Sequence, residues 1–308
     1  MSDAARPRTP NAAEAGTWTL GDRIVNRIGF GAMRLTGDRV FSHGRPRDRA
    51  QALEVLRTAV ELGVNHIDTA AFYFSALRSA NELINSALAP YPDDLVIVTK
   101  VGPGRDPWGE WTESLRPDQL RGQVEENIRQ LGLDQLDVVN FRRRDEPDVT
   151  EYVGALDELR QAGLIRHIGL SGVDSTEIAA ARRIAPIVCV QNRFSLENRQ
   201  QELEALRYCG EHRIAYVPFF AVSGSRATQP AGPSDHPDAD RVIGEVAAAH
   251  DASAAQVRLA WILHQGDHVL AIPGTGSVEH LIENVAAARL RLTADEIARL
   301  DRIDPDQS

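Results

Sequence analysis

Lysine is nearly absent from this chain: of its 34 Lys plus Arg residues, Lys100 alone is lysine. Cysteine is scarce as well, with Cys189 in an apolar run and Cys209 in a helical pattern. Two such thiols argue against a disulfide-stapled secreted scaffold and suit a reducing compartment. Long apolar stretches are missing: nothing approaches the roughly 20 residues that cross a bilayer. The first 17 residues, MSDAARPRTPNAAEAGT, hold no apolar core of signal-peptide length, and their two acidic residues argue against a transit sequence. That segment is expected to be a flexible tail, and the protein to be cytoplasmic and free of membranes. An excess of positive charge is also lacking. The net charge is −10 and the arginines are scattered, which argues against a nucleic-acid partner. No metal site is expected.

What is present is an ample core and a repeating pattern. Apolar residues make up 43% of 308 and charged ones 25%, the balance of a soluble globule. Short β-rich runs at 27–33, 64–69, 95–100, 136–141, 165–171, 187–191, 214–218 and 269–272 read as strands. Amphipathic stretches of helical length lie between them, near 48–62, 79–88, 117–131, 149–162, 175–184, 197–211 and 239–266, with a helix pair after 277. Capping-box spacing at Ser253 to Gln256 and at Thr293 to Glu296 marks helix starts. Strand-then-helix repetition predicts a parallel sheet, and eight repeats favour a closed (β/α)8 barrel, here a single domain over 18–308 behind the 1–17 tail. An open doubly wound sheet would carry a glycine-rich phosphate turn after its first strand, and Gly29-Phe-Gly31 is too short for one.

In such a barrel the reactive groups sit where strands end, and the ends here carry Asp68, Lys100, Arg142, Ser171 and Gln191. Two long connections, 101–116 with Trp108 and Trp111 and 219–237, read either as active-site loops or as surface insertions. Lys100 is open to two readings, a tunable cation or a chance survivor at a strand end. Its neighbourhood favours chemistry. Adjacent strands lie about 4.8 Å apart, so Asp68 and Tyr73 after the second strand can meet Lys100 at the end of the third. A phenol titrates near 10, and an adjacent ammonium is expected to lower that value and make Tyr73 a competent general acid, with Asp68 holding the lysine charged.

VNHIDTAAFY, VIVTK, LGLDQLDVVNFRRRD, IRHIGLS, VCVQNRFS, AYVPFF and IPGTGSVEHLIEN occur in order between about residues 18 and 303, and together they resemble an aldo-keto reductase. The resemblance implies a barrel that binds NADPH without a Rossmann domain and passes hydride to an aldehyde or ketone. It implies Tyr73 as proton donor, Lys100 as the partner that tunes it, and Asp68 as the carboxylate paired with the lysine. Ser171 and Gln191 would then hold the nicotinamide carboxamide, Tyr216 would stack on the ring, and Phe219 would begin the loop over the pyrophosphate. Glu283 and Asn284 would read the adenine, with Gly274, Thr275, Gly276, Ser277 and His280 on the segment facing the 2′-phosphate. Gly31 and Met33 would approach the cofactor closely, glycine permitting backbone contact.

Departures accompany the matches. Arg142 stands where the family has its catalytic histidine; it can donate hydrogen bonds to a developing alkoxide but cannot relay a proton. The alternative for Arg142 to Arg144 is a solvated basic run. Gly172 stands where an asparagine would give a second carboxamide contact, and the 2′-phosphate segment lacks a lysine and the usual arginine, with Gly274 and His280 in those places, leaving Ser277, His280 and a helix N-terminus to hold the phosphate. NADPH is expected, with NADH as the alternative. The strings VVN-x-R, AYVPFF and IPGT-x-SV resemble a bacterial subgroup that includes pyridoxal reductases. A fixed cation at Arg142 suits the ionised 3-hydroxyl beside the aldehyde of pyridoxal, and Phe72, Trp108 and Trp111 offer faces to a flat ring unless they serve loop packing. A keto-sugar or polyketide reductase and an NADPH-sensing regulatory subunit are the competing readings. A small carbonyl compound is the expected partner, and the chain a monomer or weak homo-oligomer.

Overall fold

A computed structural model describes residues 8–37, 45–106, 108–144, 148–222 and 237–303. The chain opens with an antiparallel hairpin, β1 (Thr17–Leu20) and β2 (Arg23–Asn26). Seven parallel strands follow among the described residues, with helices between them. In chain order these are β3 (Phe30–Gly31), α1 (Arg49–Glu61), β4 (His66–Asp68), a small hairpin of β5 (Phe74–Ser75) and β6 (Arg78–Ser79), α2 (Ala80–Leu88), β7 (Val96–Val101) and α3 (Leu120–Leu131). Then come β8 (Leu136–Arg142), α4 (Val149–Gln161), β9 (Ile165–Ser171), α5 (Ser175–Ala181), β10 (Ile187–Gln191), α6 (Leu203–Glu211) and β11 (Ala215–Tyr216). Helices α7 (Pro237–Ala249), α8 (Ala254–His264), α9 (Val278–Ala286) and α10 (Ala294–Asp301) complete the chain.

The sheet runs β11-β10-β9-β8-β7-β4-β3, each strand parallel to its neighbour. Residues 269–271 close it. Leu270 N donates to Tyr216 O (2.9 Å) on one side, and Ala271 N to Arg27 O with Gly29 N to Ala271 O (2.8 Å each) on the other. The eighth position predicted at 269–272 is thus filled by isolated parallel bridges, Tyr216 to Val269 and Ile28 to Ala271, and the (β/α)8 barrel is complete.

Strand alternation sorts the side chains, since neighbours in a strand face opposite ways. Val96, Val98, Val138, Cys189, Ala215, Val217 and Leu270 fill the interior, and Leu20 and Val25 of the hairpin pack with them as a plug. The intervening residues join a larger shell between sheet and helices. There α1 buries Ala52, Leu53, Val55, Leu56 and Ala59, the three-to-four spacing of one helix face. The two free cysteines, Cys189 and Cys209, are buried, and burial pushes the thiol of Cys209 up to about 12.

Three expectations are corrected. The segment 8–17 is docked rather than loose: Asn11 caps a short 3-10 turn, Ala12 is fully buried and donates to Leu62 O, and Arg289 bonds the carbonyls of Arg8 and Thr9. Residues 1–7 lie outside the described residues. The stretch expected as one helix over 239–266 is two, α7 and α8, divided at Asp251 with φ of 50°. Its capping box was the signal, because Ser253 and Gln256 satisfy each other's backbone N–H groups only at a helix start. The first strand is also shorter than 27–33, since the chain turns into a 3-10 helix at Ala32–Leu35. Among the described residues no helix is long and apolar enough to cross a membrane.

Candidate active site

Alternation also assembles the mouth of the barrel. Gly31 pairs with Asp68, Arg142 with Ser171 and Ser171 with Gln191, while Lys100 lies two residues beyond inward-facing Val98. All six therefore project from strand ends on the interior side. All but Gln191 border a cavity of about 500 Å³ lined in part by Asp68, Tyr73, Lys100, Arg142, Ser171, Phe72, Trp111 and Phe219, within the range of small-molecule sites.

Lys100 is its central charge. Its Nζ donates to Asp68 Oδ1 (2.5 Å) and to Thr69 O (3.0 Å), and lies 5.0 Å from the centre of the Tyr73 ring. The other oxygen of Asp68 accepts from Gln191 Nε2 at 2.6 Å. Lys100, Asp68 and Tyr73 are each at least nine-tenths buried. Burial disfavours the ammonium, but Asp68 and Tyr73 together outweigh it, and the pKa of Lys100 stands above its ordinary value. For Tyr73 the balance falls the other way from the sequence expectation. Burial raises the phenol, and the downward pull of Lys100, and the weaker one of Arg142, does not offset it, because Asp68 opposes them. The lysine moderates an upward shift, and the phenol stays protonated through the neutral range.

A backbone clamp fixes Tyr73. Its N–H donates to Ala70 O and its carbonyl accepts from Ala80 N, while the Phe72 ring meets it edge-on at 5.2 Å. Arg105, from the 101–116 loop, donates through Nη1 to Phe72 O (3.0 Å) and Phe74 O (2.9 Å). Sequence reading did not single out Arg105; an arginine in a loop gives no sign that it will bind carbonyls of another loop.

Behind the corner lies a chain of buried amides that was also missed. Thr69 Oγ1 donates to Asn81 Oδ1 (2.8 Å), Asn81 Nδ2 to Asn127 Oδ1 (2.9 Å), and Thr99 Oγ1 to the same Asn127 oxygen (2.6 Å). It ties α2 and α3 to the residues that adjoin Asp68 and Lys100 in sequence. An asparagine at an otherwise apolar helix position was the available signal. Asn81→Ala should destabilise the fold by about 1–3 kcal/mol by leaving buried partners unsatisfied, measured as a shift in denaturant midpoint at constant slope.

Arg142 lines the cavity, so the reading of a solvated basic run does not hold for it. Its Nη1 donates to Ser171 Oγ (3.2 Å) and its guanidinium lies 5.0 Å from the Phe219 ring centre. Arg143 instead pairs with Glu177, and Arg144 is exposed beside Trp111. The two departures noted at 142 and 172 lie side by side. Gly172 has φ of 77°, which favours glycine, and a Cβ there would lie 2.8 Å from Arg142 Nη1.

The remaining expected residues divide. Met33, Gly31, Gly274 and Phe219 line the cavity. Gln191 stands just behind it, with its Oε1 buried and unpartnered. Trp111 faces it at 39% exposed, while Trp108, at 71%, stands away from it. Tyr216 is a correction: it is fully buried on the outer side of the sheet, edge-on to Phe194, with its hydroxyl on Glu202 (3.2 Å). Its neighbours Ala215 and Val217 point inward, so alternation turns the 216 ring away. Aromatic surface near that strand end comes from Phe219 and Phe220. Thr275, Gly276, Ser277, His280, Glu283 and Asn284 do not line the cavity and occupy the adjoining loop and α9, where Ser277 Oγ caps the helix by accepting from His280 N (3.2 Å). Residues 223–236, most of the expected second loop, lie outside the described residues.

Comparison with known proteins agrees with this architecture. The Aldo/keto reductase family profile matches residues 27–305. The chain is 45% identical over 298 residues to pyridoxine 4-dehydrogenase of Escherichia coli (strain K12), covering 94% of this chain and 98% of that protein. An aldo-keto reductase from Klebsiella pneumoniae, solved with NADPH, superposes with a TM-score of 0.75 at 26% identity, covering 94% of this chain and 95% of that one. Another structure from that organism, with NADP and acetate, gives 0.74 at 27% identity, again over 94% and 95%. The chain therefore belongs to the aldo/keto reductase family.

Proposed function

We propose that the protein is an NADPH-dependent reductase of small aldehydes, with Tyr73 as proton donor and pyridoxal as the substrate its cavity suits best. The observation that carries this reading is the meeting of a buried, protonated phenol with an arginine in one aromatic-walled chamber.

The residues present fit the nicotinamide end of the cofactor. Gln191 Oε1 is a buried acceptor without a partner, and the NH2 of a carboxamide would satisfy it. Ser171 lines the cavity beside it, and Gly31 and Gly274 approach without side chains. Bound NADPH would supply the hydride. Tyr73 would give its proton to the carbonyl oxygen, and the pairing of Lys100 with Asp68 would hold the cation against the phenol as negative charge develops there. Arg142 would donate to the same oxygen or to an ionised hydroxyl beside it, while Phe72 and Trp111 would exclude water and rest against a flat ring.

The name of the E. coli relative supports pyridoxal as the substrate. The purified protein should oxidise NADPH with pyridoxal faster than with keto-sugars or unsubstituted benzaldehyde. Arg142→Met should raise KM for pyridoxal by about tenfold or more and leave benzaldehyde nearly unaffected, the cost of losing a charge-assisted hydrogen bond. Equal effects on both aldehydes would remove the substrate assignment, and a stronger response to keto-sugars would replace it.

A further inference from the structure

The loop that adjoins the cavity at Gly274 carries no lysine or arginine from Ile272 to His280. A basic side chain from elsewhere in the chain lies against it. Arg47, just ahead of α1, donates through Nη1 to Gly276 O (3.2 Å) and through Nε to Arg34 O (3.1 Å). A Cβ built at Gly276 would fall 2.0 Å from Arg47 Cζ, so the guanidinium fills the space where a side chain at 276 would begin. The missing side chain at 276 and the arginine from residue 47 are complementary in shape.

We propose that Arg47 holds the 2′-phosphate of NADPH and thereby sets the preference for NADPH over NADH. The proposal rests on the reading of the 274–284 segment as the adenosine end of the cofactor site. Three features favour an anion there. Both side-chain hydrogen bonds of Arg47 among the described residues run to backbone carbonyls, and no carboxylate among those residues lies within ion-pair reach of it. The guanidinium is permanently charged, and with Nε and Nη1 donating to carbonyls it would offer Nη2 to a phosphate oxygen. The N-terminus of α9 adds a favourable partial charge at the same turn. One group opposes this: Glu279 accepts from Ser277 Oγ (2.6 Å), placing a carboxylate on the first turn of the helix. Arg34, which lines the cavity, adds a second positive group close enough for Arg47 to act on its ionisation, secondary to burial.

Binding rather than turnover tests this. Kd values for NADPH, NADH, 2′,5′-ADP and 5′-ADP are measured by tryptophan fluorescence and calorimetry on the wild type, Arg47→Met and Arg47→Lys, with circular dichroism to verify folding. Arg47→Met should weaken NADPH and 2′,5′-ADP by about tenfold or more, the effect of one charge-assisted bond, and leave NADH and 5′-ADP within about twofold. Arg47→Lys should recover part of the loss. Equal weakening of phosphorylated and unphosphorylated ligands would overturn the proposal and make Arg47 a residue that shapes the loop. An unchanged ratio in a wild type that prefers NADPH would overturn it too, placing the phosphate elsewhere. A wild type that binds 2′,5′-ADP no better than 5′-ADP would instead overturn the cofactor reading itself, and the role of Arg47 with it.

Discussion

Tyr73→Phe should lose about 10²- to 10⁴-fold in kcat for aldehyde reduction while binding NADPH nearly as the wild type does. The substitution removes one oxygen from a ring that is fixed by its own backbone hydrogen bonds and by Phe72 packing, so the cavity keeps its shape. In the proposed role the loss would be specific to the transition state, because the hydroxyl would donate to a carbonyl oxygen only as charge develops on it. A pH profile adds a second readout. Burial holds the phenol above its ordinary value near 10, so the rate of reduction should stay flat through neutral pH and fall only on the alkaline side, where the donor loses its proton. Wild-type turnover of every aldehyde by the phenylalanine variant would assign the acid elsewhere. A wild type that binds NADPH and never oxidises it, whatever aldehyde is added, would favour the NADPH-sensing reading.

Lys100→Met is expected to act on both stability and turnover. Asp68 is buried, and its carboxylate is held by Lys100 on one oxygen and Gln191 on the other. Removing the cation strands a buried negative charge, which costs about 3–5 kcal/mol when a buried pair is broken from one side. The double variant Asp68→Asn with Lys100→Met removes both charges and should recover most of that stability. Turnover should not return, because the phenol would have lost the only lysine in the chain as its partner. The two measurements separate the roles: a denaturant midpoint that recovers with kcat still depressed marks a functional cation, while recovery of both would reduce the pair to a structural one.

Much of the site was legible in the chain because strand ends and alternation are periodic properties. A lysine closing the run VIVTK and an aspartate closing HID must face the same way if both runs begin inside the barrel, and they meet. The same rule, applied to AYV, would have turned Tyr216 outward, since Ala215 and Val217 are the small and branched residues that fit the interior. The resemblance alone gave it a stacking role that the geometry assigns to no residue at that position. Trp108 and Trp111 read alike in sequence; their loop brings one to the cavity and leaves the other in solvent.

Order along the chain by itself determined the barrel, its strand positions to within a few residues, and the meeting of Asp68, Tyr73 and Lys100, because each follows from a local period and a short spacing. Only the tertiary structure decided which way the phenol's ionisation shifts, since that depends on how much water is excluded and on Asp68 opposing Lys100. It alone joined Arg142 to Gly172, Arg105 to the turn of Tyr73, and Arg47 to Gly276, a contact 229 residues apart in sequence. Contacts of that kind have no period, and they exist only once packing has brought distant loops to the same end of the barrel.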